Sequence, residues 1–128
     1  MSTEQTLFDR IGGEATFEQL VSHFYALVSV NPILRPMYPD DDFQAAAERL
    51  MLFLIQYWGG PHTYSEMRGH PRLRMRHAQF LIDSKARDAW LACMKSAVDE
   101  LKIEESDRVE LWNYLEMAAQ SLVNTPDH

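Results

Sequence analysis

Apolar residues in this chain recur at steps of three and four, and most such runs are cut by glycine or proline. Phe17, Leu20, Val21, Phe24 and Val28 share one helical face until Asn31-Pro32 ends it. Phe43, Ala46, Ala47, Leu50, Phe53, Leu54 and Tyr57 form a second face. It is opened by Asp40-Asp41-Asp42, whose charge suits a helix N-terminus, and closed by Gly59-Gly60-Pro61. Ala86, Trp90, Cys93, Met94, Ala97 and Leu101 form a third, with Asp83 or Ser84 as its cap. A fourth starts near Ser106 and carries Leu111, Leu115, Ala118 and Leu122, with Trp112 and Ala119 beside them, before Pro126. No segment alternates as a strand does, so the spacing predicts an all-α protein.

Shorter signals fill the gaps. Ser2 followed by Gln5 reads as a capping box opening a brief helix that stops at Gly12-Gly13. Pro32, Pro36 and Pro39 break the next stretch, which holds Tyr38, into something no longer than a single helical turn. From Pro61 to about Pro71, glycine, proline and polarity argue against a packed element, whereas Leu73 to Phe80 reads as a short helix carrying His77. Four longer helices, two short ones and a loop-rich middle section fit one domain over residues 1–128. That middle section needs something to hold it.

Composition removes several function classes. A formal net charge of −7 repels a phosphate backbone, so no nucleic-acid partner is expected. One cysteine, Cys93, cannot form an intrachain disulfide, which suits a reducing compartment. The first ten residues lack the pattern of a secretory leader, and no apolar run is long enough to cross a bilayer; a cytoplasmic protein without stable membrane insertion is expected. The five histidines include no His-Glu-x-x-His pair, and neither a phosphate-binding glycine loop nor a Gly-x-Ser-x-Gly elbow occurs.

The run Arg72-Leu73-Arg74-Met75-Arg76-His77 alternates cations with apolar groups and ends on a histidine before an apolar segment. An iron porphyrin is flat and apolar, bears two carboxylates at its edge and leaves axial positions open, so its site needs apolar walls, edge cations and one imidazole. The run supplies cations and imidazole, though it equally fits a basic loop with a surface histidine. Tyr25, Tyr38 and Trp90 each carry a hydrogen-bond donor on an aromatic body, which serves a ligand or simple packing.

Taken together, Gly12-Gly13, Phe24-Tyr25, Tyr38 before a proline, Tyr57-Trp58-Gly59-Gly60-Pro61, the segment from Gly69 to His77, and Trp90 resemble the truncated haemoglobins of the second group, the oxygen-binding type of actinobacteria. The match covers nearly the whole chain. It implies a truncated globin, a two-over-two helical sandwich enclosing haem b (iron protoporphyrin IX), with His77 as the iron ligand. It further implies a distal gate at Ala46 followed by Leu50 and Phe53. Arg76, and beside it Tyr64, His70, Arg72 and Arg74, would meet the haem carboxylates. Leu34, Leu73, Met75, Phe80, Ile82, Met94 and Leu115 would line the walls. Gln79 stands where some relatives carry proline, a departure that bears on the short helix after His77 and not on the ligand.

With alanine at the gate, Tyr25, Tyr38 and Trp90 are left to stabilise a bound ligand at a penta-coordinate iron. A hydrogen bond to a charged acceptor contributes roughly 1.5–3 kcal/mol, and two of them slow escape by about 10²- to 10⁴-fold. Slow release fits O2/NO or peroxide redox chemistry better than bulk delivery. No flavin or nicotinamide motif is present, so an enzymatic role would need a separate reductase. The small ligands implied are O2, NO, CO or peroxide; assembly into a homo-oligomer stays open. The competing readings are a passive oxygen carrier, store or sensor, and a helical protein-interaction module.

Overall fold

Thr6 opens the first helix, its hydroxyl accepting the Asp9 N–H at 3.2 Å and so satisfying one of the donors a helix start leaves unpaired. In this computed structural model, which describes residues 6–38, 43–68 and 82–123, α1 spans Leu7–Arg10. The cap expected at Ser2 and Gln5 lies outside the described residues, and the helix itself begins at Leu7. Gly13 then turns the chain at φ +72°, its N–H donating to the Phe8 carbonyl at 2.8 Å.

Helix α2 covers Glu14–Val28 and buries Phe17, Leu20, Val21, Phe24, Tyr25 and Val28. Beyond it, the Asn31 carboxamide oxygen accepts the Ile33 and Leu34 N–H groups at 2.9 and 3.0 Å. This side-chain turn leads into a single 3-10 turn, Arg35–Met37, and thence to Tyr38 in extended conformation. Helix α3, Phe43–Tyr57, stops at Gly59, whose φ of +103° suits glycine. The Phe8 N–H donates to the Trp58 carbonyl at 3.0 Å, joining α1 to the end of α3.

Residues after Pro61 correct the sequence reading. Thr63–Arg68 form a packed helix, α4, where a loop was expected. Tyr64 is only 4% exposed and meets Phe53 edge-on, ring centres 5.7 Å apart. Gln56 and Ser65 hold the same helix by a reciprocal pair of hydrogen bonds at 2.7 and 2.9 Å. One buried ring and one polar pair stabilise a segment too short and polar to show an apolar face. The helix expected over Leu73 to Phe80 lies outside the described residues.

Helix α5, Ser84–Asp99, is capped by Asp83, whose carboxylate accepts the Ala86 N–H at 2.9 Å. Helix α6, Glu105–Ser121, follows, and its Arg108 donates back to the Val98 and Leu101 carbonyls, satisfying acceptors at the end of α5. Arg10 of α1 reaches the buried carboxylate of Asp107 at 2.9 Å and Glu110 at 3.0 Å. Leu111, Leu115 and Ala119 are buried on α6 as expected, but Ala118 and Leu122 are only partly covered.

Two helix pairs result, α2 with α3 and α5 with α6, joined where α2 packs on α5; α4 sits against α3. Phe17, Leu20, Phe24, Val28, Leu54, Met94, Val98, Leu111 and Leu115 are fully enclosed between them. Among the described residues there is no strand, and no helix is long and apolar enough to cross a membrane. At the outer end of α3, Tyr57 stacks on Tyr114 at 3.9 Å with Trp58 edge-on to both, and the Trp58 indole nitrogen is buried with no hydrogen-bond partner among the described residues.

Candidate functional site

Five rings from four elements form a continuous aromatic network on the inner side of the α2–α3 pair. Trp90 of α5 meets Phe24 of α2 at 5.2 Å, and Phe24 meets its neighbour Tyr25 at 5.0 Å. Tyr25 in turn contacts Tyr38 at 5.7 Å and Phe43, the first residue of α3, at 5.3 Å. Tyr38 and Phe43 close the triangle at 5.7 Å. All these contacts are edge-on, the arrangement that aromatic quadrupoles prefer. The three donor-bearing aromatics picked out from the sequence thus stand in one network, although nothing in their spacing requires it. Tyr25 is buried, with Tyr38 and Phe43 packed edge-on against its ring.

Tyr38 and Tyr25 share a side-chain hydrogen bond. Burial raises the Tyr38 phenol above its ordinary range, the bond with Tyr25 pulls it back, and Cys93 nearby adds a smaller upward push. Burial also raises the Cys93 thiol, which disfavours its thiolate form, while the Asn31 carboxamide, donating to its sulfur at 3.8 Å, pulls it back.

Along α3, Ala46 and Phe53 are buried and Leu50 is half-buried between them, an apolar wall one side chain deep. Trp90, Tyr38, Phe43 and Leu50 pack on the core yet remain partly exposed. Large aromatic and aliphatic groups held half-covered around two phenols and an indole suit a flat apolar group with a small polar ligand on it, so the residues present fit a porphyrin. Phe53 and Tyr64 touch each other further along this wall. Of the other wall candidates, Leu34 and Ile82 are buried, while Met94 and Leu115 are sealed inside the helical core.

His77, Arg76, His70, Leu73, Met75 and Phe80 lie outside the described residues, as do Arg72 and Arg74. Among the described residues, no group of three or more His, Cys, Asp or Glu could hold a bare metal ion. A porphyrin iron asks only one imidazole of the chain.

Sequence reasoning passed over Phe43, Arg35 and Asn31 as site residues. Asn31-Pro32 was legible as a helix stop, and the same residue pair could have signalled a side-chain turn that aims the following segment. Arg35 acts through the main chain of Tyr38, which no side-chain pattern reveals.

Comparison with known proteins identifies the family. A family model described as bacterial-like globin matches residues 6–124. The group 2 truncated hemoglobin YjbI of Bacillus subtilis (strain 168) is 44% identical over 112 residues, covering 88% of this chain and 84% of that protein. The thermostable hemoglobin of the actinobacterium Thermobifida fusca superposes with a TM-score of 0.93 at 52% identity, covering 96% of this chain and all of the other. The group II truncated hemoglobin of Bacillus anthracis gives a TM-score of 0.93 at 42% identity, over 99% of this chain and 97% of its own. An all-helical fold of two packed pairs, a haem-compatible aromatic pocket and these matches together show that the chain belongs to the bacterial-like globins, among the group 2 truncated haemoglobins.

Proposed function

We propose that the chain holds haem b through His77 as its only protein ligand to iron and reversibly binds O2, NO, CO or peroxide on the side lined by Tyr25, Tyr38 and Trp90. Globin membership itself carries haem-based binding of small diatomic ligands; the ligand residue, the polar cluster and the redox role are the finer reading. Arg76 and its neighbours Tyr64, His70, Arg72 and Arg74 meet the haem carboxylates, with Leu50, Phe53, Leu73, Met75 and Phe80 as walls.

The observation that carries this reading is the edge-on, hydrogen-bonded pair of phenols, Tyr25 and Tyr38. The bond lowers the Tyr38 phenol against the upward push of burial and ties the turn that carries Tyr38 to α2. A phenol held in such a pair is both donor and acceptor, and its O–H suits a ligand carrying partial negative charge. Trp90, joined to the pair through Phe24, offers an indole N–H from a separate helix. Donors fixed before the ligand arrives need no reorganisation to stabilise developing charge.

When bound, the haem would supply redox-active iron for chemistry between O2 and NO or with peroxide, with electrons coming from a separate reductase. The chain's own contribution is to bind, orient and retain the ligand. The sequence carries no flavin or nicotinamide motif, which is why the reductase is placed on a separate protein.

Visible absorption of purified protein reconstituted with haem, taken ferric, reduced and under carbon monoxide, tests the reading in wild type and His77→Ala. A histidine-ligated haem with a photolabile carbon monoxide adduct, lost or altered in the variant, is the expected result. An adduct identical in both refutes the ligand assignment. Continuous NO consumption under reductant supports turnover, whereas a halt after one equivalent makes the protein a passive carrier, store or sensor.

A further inference from the structure

We propose that Arg35 is a positioning residue that sets where Tyr38 stands in the ligand pocket, an inference that rests on the proposed role of Tyr38. Arg35 holds Tyr38 by both of its main-chain polar groups. The Tyr38 N–H donates to the Arg35 carbonyl at 3.2 Å, and the Tyr38 carbonyl accepts from the Arg35 guanidinium at 2.7 Å. The two peptide planes that flank the Tyr38 Cα are thereby both tethered to one residue. The same guanidinium lies 4.4 Å over the Phe43 ring, a cation–π contact. Phe43 is the ring that touches Tyr38 and Tyr25 together. One side chain therefore grips the backbone of the donor and braces the ring beside it.

The turn that presents Arg35 is itself anchored. Asn31 accepts from Ile33 and Leu34 through its side chain and from Arg35 through its carbonyl at 3.0 Å. Its amide group donates to Cys93 of α5, one helical turn beyond Trp90. The segment carrying Tyr38 is thus referenced to the helix carrying Trp90, so that two donors on different elements keep a fixed separation. A planar guanidinium can bond the carbonyl and lie flat on a ring simultaneously, whereas a lysine ammonium is a point charge that does one better than both.

The test uses the haem-loaded protein and two readouts, the O2 dissociation rate and the infrared C–O stretch of the carbon monoxide adduct. A donated hydrogen bond weakens the C–O bond, so a displaced donor raises the stretch. Arg35→Met, Arg35→Lys, Tyr38→Phe and the double variant Arg35→Met/Tyr38→Phe are compared with wild type. Arg35→Met is expected to release O2 roughly two- to tenfold faster, the effect of weakening one hydrogen bond, and to move the stretch in the direction that Tyr38→Phe does. Arg35→Lys is expected to fall between. In the Tyr38→Phe background, Arg35→Met should add nothing, which separates positioning from a general loosening that would add in both.

Wild-type rate and stretch in Arg35→Met, with both altered in Tyr38→Phe, overturn the positioning role alone. Unchanged values in Tyr38→Phe overturn the reading of the pocket, and the inference with it. If Arg35→Met does not take up haem, Arg35→Lys measured against Tyr38→Phe decides the question by the same two readouts.

Discussion

Tyr25 and Tyr38 meet edge-on, ring centres 5.7 Å apart and planes at 78°, with a hydrogen bond between their side chains. They come from different elements, a fifteen-residue helix and the end of a single 3-10 turn, so the contact fixes the turn to the helix. The bond opposes the effect of burial on Tyr38. Removing it in Tyr25→Phe is therefore expected to raise the Tyr38 phenol further above its ordinary range. Titration of carbon-13-labelled tyrosine by NMR, assigned with Tyr38→Phe, checks this; a fall in the Tyr38 value would contradict a bond that opposes burial.

Alkaline stability should report a different pair. Burial, and then the neighbouring Tyr57, push the Tyr114 phenol up to about 12, against a usual value of 10.0. A raised value in the folded state means that the stabilisation is complete below the unfolded value and is lost as pH rises through the folded one. Denaturant midpoints should accordingly fall between about pH 10 and 12, more steeply in wild type than in Tyr114→Phe. Equal slopes would show that Tyr114 titrates normally.

The junction of α1 and α3 tolerates no side chain at Gly59. Its φ is +103°, and an added Cβ would lie 2.5 Å from both Thr6 Cβ and Cγ2. Thr6 cannot simply swing away without releasing the Asp9 N–H it caps. Gly59→Ala should cost about 1–3 kcal/mol from backbone strain with the clash in addition, read as a lowered thermal midpoint in calorimetry.

Burial separates two residues of α6 that composition treats alike. Leu111 is 0% exposed and Met117 is 63% exposed. Leu111→Ala should destabilise by about 2–5 kcal/mol, the range for emptying a packed core position, and Met117→Ala by no more than about 0.5 kcal/mol. Urea unfolding of both variants makes the comparison.

The four long helices were legible because each carries an apolar stripe long enough to repeat and a boundary that glycine, proline or a carboxylate cap makes explicit, such as Asp83 at the start of α5. Helix α4 was not, since its stability comes from Tyr64 against Phe53 and from the Gln56–Ser65 pair, contacts with a helix earlier in the chain. The same limit applies inside the pocket. Donor-bearing aromatics can be picked from a sequence, but the depth of Tyr25 depends on Tyr38 and Phe43 folding over it. The hold of Arg35 on the Tyr38 carbonyl engages an atom common to every residue, which leaves no trace in side-chain pattern. His77 is named by the resemblance alone, since neither periodicity nor local chemistry chooses it, and it lies outside the described residues.

The central claim is that donors from the turn and from α5 hold the ligand, and the O2 dissociation rate of Tyr38→Phe and Trp90→Phe tests it most directly. Each variant keeps an aromatic ring and removes one donor. Each is expected to release O2 faster by about 10- to 10²-fold, the effect of losing one hydrogen bond to a charged acceptor. Wild-type rates in both variants would contradict the account.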